Sequence, residues 1–223
     1  HNLQQVPARD PELGPMIRSL FIPEEDQEWI CADYSQQEPR VLVHYASLKN
    51  ISSANDVRNA FHQNTNTDFH TMVATMANIP RKQAKTINLG LFYGMGKKKL
   101  ANELGLDEET ACNLFNKYHT KVPFVQELSK QVSNVASNRG FIKTILGRKR
   151  RFELWEPRDM WGEKAYPLSE AYAKYPKQQL KRAYTHTALN ALIQGSSADI
   201  TKSAMLKIWQ AGLLDQIDLK LTV

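Results

Sequence analysis

The chain has 223 residues, 42% hydrophobic and 23% charged. That is ordinary globular composition, long enough to bury a real core, and it excludes a disordered or fibrous chain. Lys and Arg number 29 against 23 Asp and Glu, and the resulting +6 is compatible with a polyanionic partner without requiring one. The first 28 residues are polar and punctuated by Pro7, Pro11, Pro15 and Pro23. They read as an irregular lead-in with a short strand over 17–22. His1 in place of Met, and no signal-peptide pattern in HNLQQVPARD, suggest an internal segment of something longer. WICA (29–32) reads as a short apolar strand ending at Asp33.

Ser35 and Glu38, three apart, form a capping box that opens an apolar-periodic helix through Val41, Leu42 and Tyr45. Pro39 is tolerable in its first turn. The box alone accounts for Glu38. Asp33, a carboxylate between a strand end and a helix start, is either a metal ligand or a turn residue. Residues 50–68 read as a loop with a short helix over 57–61. Asp68-Phe69-His70 starts another helix, and His70 taken alone is more simply a cap or a surface histidine than a ligand.

RKQAKTINLGLFYG (81–94) is a proline-free helix, with Pro80 as its first helical residue. Arg81, Lys85, Leu89 and Tyr93 fall at steps of four and form one slowly turning stripe. It runs from two cations through an apolar residue to a ring. A triphosphate, sugar and base would fit that gradient. On spacing alone an amphipathic helix with a solvated basic end is the better account.

The GMGKKK run that follows is not a P-loop, because the motif's first Gly would fall at Leu91 and no Ser or Thr follows Lys97. Residues 97–105 read as a short helix ended by Gly105. Asp107 then caps a helix carrying Leu114, Phe115 and Tyr118, and another spans 122–139 up to Gly140. FIKTILGRKRRF (141–152) reads as a β-hairpin bearing Lys143, Arg148, Lys149, Arg150 and Arg151. It is either a solvated hairpin or a contact to a phosphate backbone. Residues 153–180 form an aromatic, ordered insertion. A long helix covers 178–210, with Gly195 the place where it would break. Its Asn190 and Gln194 share a face and suit minor-groove acceptors, although an exposed polar face explains them as well. IDLKLTV (217–223) alternates as a half-buried strand. Cys31 and Cys112 make no metal pair or disulfide framework, so a reducing compartment is the default. No apolar run reaches the roughly 18 residues of a membrane span.

Taken together, these pieces resemble the family A DNA polymerases, particularly those of bacteriophages, over the whole chain. ADYSQQEPR (32–40) looks like the family's first palm motif, DYSQIELR, and residues 81–94 look like its fingers helix, R-x3-K-x3-F-G-x2-Y-G. Asp68–His70 resembles its D-x-H, NLQQVPAR (2–9) its NLQNIP segment, and LNALIQGSSADITKSAM (189–205) its N-x3-QG-x-AAD-x2-K-x-AM helix. The resemblance implies a helix-rich α+β fold, an antiparallel β palm with an α-helical fingers subdomain, as a partial right hand. Residues 1–48 would be the first part of the palm. Residues 49–180 would be the fingers with the basic hairpin and the insertion, and 181–223 the second, truncated part of the palm.

It further implies roles. Asp33 would bind metal, with the carbonyl of Tyr34 on the same ion. Ser35 and Gln36 would lie beside the incoming triphosphate, and Glu38 would be the steric gate against a ribose 2′-hydroxyl. His70, Arg81 and Lys85 would grip the phosphates, with Lys85 the general acid for pyrophosphate. Leu89 would lie against the sugar and base, and Tyr93 at the templating position. Asn190 and Gln194 would read the minor groove, and Arg148, Lys149 and Arg150 would touch the DNA backbone. Expected partners are primer–template DNA and dNTP, with no membrane; the sequence does not identify replication accessory proteins. Two Mg²⁺ ions about 3.5–4 Å apart would serve the complete active site. The family's second catalytic carboxylate follows a strand like IDLKLTV, so this chain is expected to be inactive by itself. A phage-encoded enzyme would work in the bacterial host cytoplasm.

The chain departs from the family pattern in several places. Leu89 stands where the family has Phe or Tyr, Gln37 and Pro39 replace Ile and Leu, and His186 sits where Arg is frequent. Two other classes compete: a non-catalytic nucleic-acid-binding module derived from a polymerase, and an RNA-directed or RNA-making relative, against which Glu38 argues.

Overall fold

A computed structural model describes residues 10–28, 30, 32–51, 53–92, 95–158 and 164–216. The segment 2–9, the 29–32 strand, Tyr93 and the 217–223 strand therefore fall wholly or partly outside the described residues. The chain divides into two compact units, 1–35 and 36–223.

In the first unit the expected strand over 17–22 is instead helix α1 (Leu13–Arg18) with a turn after it. Local turn chemistry outweighs the apolar residues. Asp10 Oδ1 accepts the backbone N–H groups of Glu12 (3.0 Å) and Leu13 (2.7 Å), an Asx turn that starts the chain curling.

The second unit is a helical assembly carrying two small antiparallel sheets. Its helices are α2 (Gln37–Leu48), α3 (Ala54–Gln63), α4 (Phe69–Ala77), α5 (Arg81–Phe92), α6 (Lys97–Leu104), α7 (Glu108–Lys121) and α8 (Pro123–Arg139). Strands β1 (Phe141–Lys143) and β2 (Lys149–Arg151) make the hairpin, in register Phe141 to Arg151. Strands β3 (Leu154–Pro157), β4 (Tyr166–Pro167) and β5 (Leu180–Arg182) form a second sheet in the order β4-β3-β5, with α9 (Leu168–Lys174) after β4. Helices α10 (Ala188–Gln210) and α11 (Leu213–Gln216) follow.

Several boundaries follow from caps. Asp107 accepts the N–H of Thr110 at 2.8 Å to start α7. Gly105 (φ 64°) and Gly140 (φ 77°) end α6 and α8 in the left-handed region that glycine enters without strain. Pro80 is not the first helical residue; it precedes α5, and its carbonyl accepts the N–H of Ala84.

Two expectations fail. The cap of α2 is not at Ser35: the N-cap is Gln36, in the left-handed region at φ 54°, and its own side chain makes no cap bond. Its carboxamide is used elsewhere, as described below. The last long helix begins at Ala188, not at 178, because residues 180–182 pair with β3 and Tyr184 turns the chain at φ 60°. The helix then runs unbroken through Gly195.

The core joins α2, α4, α5, α7, α8 and α10 through Leu42, Phe69, Ile87, Tyr118, Phe124, Leu128, Leu189 and Ile193, all essentially inaccessible. Each buried side chain of this size contributes about 1.5–3 kcal/mol. Phe69 anchors α4 by stacking on Phe61 and meeting Phe124 edge-on. That packing fixes the pitch of α4, and with it the position of His70.

Candidate functional site

Chemistry-bearing side chains of the second unit converge where α4 starts and α5 runs past it. Asp68 is the N-cap of α4. Its Oδ1 accepts the N–H groups of His70 (2.8 Å) and Thr71 (3.2 Å). Its Oδ2 accepts two bonds from Arg81 on the first turn of α5, from Nε at 2.9 Å and Nη2 at 2.6 Å. Burial works against ionisation of Asp68. The Arg81 guanidinium, with the N–H groups of Thr71 and His70, nevertheless holds the carboxyl down to about 2. Arg81 also donates to Thr71 Oγ1 at 3.1 Å. The head of this arginine is thus aimed from two sides while its side chain stays 55% exposed.

One turn on, Lys85 is exposed, and a further turn on Leu89 is half-buried. The described part of the 81–85–89 stripe therefore grades from exposed cations to a partly covered apolar residue, as the spacing requires. Tyr93 lies outside the described residues.

His70 is half-buried beside this stripe. Burial pushes its imidazole below the ordinary histidine value; Asp68 opposes the shift, and Arg81 and Lys85 add to it. Its Nδ1 lies 3.0 Å from Nδ2 of Asn88, on α5. Asn88 Oδ1 in turn accepts from the hydroxyl of Tyr118, on α7, at 2.5 Å. Asn88 and Tyr118 are fully buried. Sequence reasoning assigned neither a role at this site. The available signal was the amide at 88, set between Ile87 and Leu89 on the side of α5 that enters the core.

Gln36 joins α2 to the same place. Its Nε2 donates to the Thr67 carbonyl (2.8 Å) and its Oε1 accepts the Phe69 N–H (2.6 Å). Glu38 is half-buried on the first turn of α2. Around it, Gln37 donates to the Ser197 carbonyl (3.2 Å) and to Thr201 Oγ1 (3.3 Å) on α10, and Pro39 is buried. The two departures from the family pattern are thereby packed.

Asp33, Tyr34 and Ser35 belong to the first unit and are exposed. The Asp33 carboxylate and the Tyr34 carbonyl are hard oxygen donors of the kind Mg²⁺ takes. They amount to one carboxylate, and among the described residues no group of three or more His, Cys, Asp or Glu is arranged to hold a metal ion.

Elsewhere in the unit the hairpin docks on α10. Arg148 donates Nε to Asp199 Oδ1 (2.9 Å) and Nη2 to the Gly195 carbonyl (2.8 Å). Ser196 Oγ accepts the Ile145 N–H at 3.1 Å. Arg148 is therefore engaged within the protein, whereas Lys149 and Arg150, both exposed on β2, stand over the rings of Phe141 and Phe152 respectively. On α10, Gln194 is exposed and Asn190 half-buried, with the Asn190 Oδ1 enclosed and without a hydrogen-bond partner among the described residues.

The profile of DNA polymerase family A matches residues 1–223. The chain is 38% identical to a DNA-directed DNA polymerase of Pseudomonas phage M6, over 95% of this chain and 35% of the phage protein. It is 32% identical to the thermostable DNA polymerase I of Thermus aquaticus, over 93% of this chain and 23% of that protein. Among solved structures it is similar to the POL domain of Pol1 from M. smegmatis, a complex with DNA primer-template and dNTP. The TM-score there is 0.71 at 30% identity, over 98% of this chain and 35% of that one. The chain spans about a third or less of the length of these relatives. On the family profile and these identities, the chain belongs to DNA polymerase family A.

Proposed function

We propose that the protein carrying this chain transfers dNMP from dNTP to a primer 3′-hydroxyl under template direction, with the α4–α5 face receiving the triphosphate. One observation carries the reading: two cations, Arg81 and Lys85, and the imidazole of His70 converge from two helices, with Arg81 pre-aimed by Asp68 and Thr71. Such a cluster matches a polyphosphate in charge and donor geometry. The similar Pol1 domain, solved with primer-template and dNTP, supports the same partners.

In this reading the primer 3′-hydroxyl gives up its proton to water and its oxygen attacks the α-phosphorus, while the bond from that phosphorus to the α–β bridging oxygen breaks. Lys85 gives the departing pyrophosphate a proton. Arg81 and His70 hold the phosphates in line, and Ser35 and Gln36 lie along them. Glu38 excludes a 2′-hydroxyl, Leu89 contacts the sugar and base, and Tyr93 stands at the templating position. Asn190 and Gln194 read the minor groove, while Lys149 and Arg150, with Arg148 behind them, follow the DNA backbone. Asp33 and the Tyr34 carbonyl would hold Mg²⁺, which when bound offsets phosphate charge. Residues 1–48 and 181–223 would serve as palm and 49–180 as fingers. The phage relative suggests a role in phage DNA replication, carried out in the host cytoplasm. Among the described residues no helix is long and apolar enough to cross a membrane.

Replacing Asp33 by Ala in the full protein should abolish primer extension while leaving primer–template binding within about twofold of the unaltered protein. Extension that survives the change overturns the metal role of Asp33. Unaltered protein that binds DNA and never extends it would indicate a binding module in place of an enzyme.

A further inference from the structure

The chain Tyr118–Asn88–His70 has two self-consistent proton arrangements. In one, the Tyr118 hydroxyl donates to Asn88 Oδ1, the Asn88 amide N–H donates to His70 Nδ1, and the imidazole carries its proton on Nε2. In the other the amide is turned over, its NH₂ faces Tyr118, and His70 donates from Nδ1. The distances decide. The contact to Tyr118 is 2.5 Å and that to His70 is 3.0 Å. An O–H···O bond reaches about 2.5 Å, whereas N–H···O bonds rarely fall under about 2.7 Å. The short contact is therefore hydroxyl to carbonyl, which turns the amide N–H toward the imidazole. Asn88 and Tyr118 are fully buried, so no water replaces a broken link without cost.

We propose that Asn88 and Tyr118 are positioning residues that lock His70 as a neutral imidazole with its proton on Nε2, a fixed hydrogen-bond donor for a phosphate oxygen of the incoming nucleotide. This rests on the nucleotide-binding reading above and adds what no single contact to the ligand supplies. Protonating Nδ1 would set two donors face to face, and relief would require turning the amide and breaking the Tyr118 bond. The groups facing His70 are Asp68 at the start of its own helix, Arg81, Lys85 and Asn88 from α5, and Tyr118 from α7 behind Asn88. Their balance with burial also disfavours the imidazolium. His70 then acts by direction, and the net positive charge at the site comes from Arg81 and Lys85.

The test is ¹⁵N NMR of the labelled chain, which reports which imidazole nitrogen carries the proton. The wild type should show the Nε2–H form at pH 7. Asn88→Asp, an isosteric change, offers two carboxylate oxygens and should move the proton to Nδ1 and raise the His70 pKa. Tyr118→Phe should give a mixture of the two forms and weaken dATP binding by about three- to tenfold, the range of a misaligned bond to a charged acceptor. An Nδ1–H form in the wild type, or Asn88→Asp and Tyr118→Phe variants that both keep the wild-type form, overturns the lock. An Nε2–H form whose signals, with those of Arg81 and Lys85, ignore saturating dATP upholds the lock and overturns the nucleotide reading.

Discussion

Replacing Asp68 by Asn keeps the α4 cap and removes only the charge that Arg81 meets. Asn caps helices about as well as Asp, so the bonds to the N–H groups of His70 and Thr71 should persist. The two bonds from Arg81 at 2.9 and 2.6 Å lose their anionic acceptor. Hydrogen bonds to charged groups contribute about 1.5–3 kcal/mol when shielded, and exposed ion pairs about 0.2–1 kcal/mol. With Arg81 55% and Asp68 32% exposed, we expect a loss of about 1 kcal/mol. Linkage gives the same scale. The carboxyl falls from 3.8 to about 2 on folding, roughly two units or about 2.7 kcal/mol before solvent screening reduces it to about 1–2 kcal/mol.

Because the folded value lies below the unfolded one, this stabilisation is complete above pH 4 and disappears as pH falls through about 2. Urea unfolding of wild type and Asp68→Asn at pH 7 should therefore show midpoints separated by several tenths molar at equal slope. The separation should shrink to a small remnant near pH 2, where about half of the folded carboxyls are still ionised. Asp68→Ala loses the cap as well and should unfold earlier by about a further 1 kcal/mol. Equal midpoints for wild type and Asp68→Asn at pH 7, or a separation undiminished at pH 2, would refute the ion-pair account.

Leu89→Phe in the full protein should tighten dNTP binding about five- to tenfold, toward the lower end of the roughly 1–3 kcal/mol that ring stacking provides, since Leu89 already supplies apolar contact. Unchanged affinity and incorporation rate in steady-state kinetics would deny Leu89 a place beside the sugar and base. Gly195→Ala should destabilise the protein although Ala gains about 1 kcal/mol in helix propensity. Its Cβ would lie 2.7 Å from Cγ2 of Thr144, an overlap costing more than that gain. Adding Thr144→Ser removes the methyl group, keeps the hydroxyl that accepts the Arg148 N–H, and should restore the thermal midpoint; failure to restore it contradicts the steric cause. Asp199→Asn should cost about 1 kcal/mol and speed hydrogen exchange of the 145–148 amides, because the Arg148 clamp then loses its anion. Exchange at the wild-type rate would mean that the clamp does not hold the hairpin turn.

Punctuated boundaries were legible in the sequence. Gly105, Asp107, Pro123 and Gly140 mark the ends of α6, α7 and α8 through backbone rules that act within a few residues, and the structure follows them. What misled was chemistry acting at a distance or masked by composition. The expected cap at Ser35 yields to Gln36, whose carboxamide is claimed by Thr67 and Phe69, more than thirty positions away. The helix expected from 178 yields to β5, whose partner β3 lies some 25 residues back. Near residue 17 the apolar content suggested a strand, while the Asp10 turn decided for helix. At the site, Arg81, Lys85 and His70 were visible from spacing and family resemblance. Asn88 and Tyr118 were not, since an amide and a phenol thirty positions apart have no pattern until α5 and α7 pack together.

The claim that the 81–85–89 stripe receives a nucleotide is tested most directly by titrating the chain with dATP in three forms: unaltered, Lys85→Ala and Lys82→Ala. Lys85 lies on the stripe. Lys82 is equally exposed on α5 but one residue around the helix from Arg81. The two changes remove the same charge from the same helix, so long-range attraction is common to both. The account predicts a loss of about tenfold or more for Lys85→Ala, as for a hydrogen bond to a charged group, and less than about twofold for Lys82→Ala. Equal losses for the two variants, or no saturable binding by the unaltered chain, would contradict it.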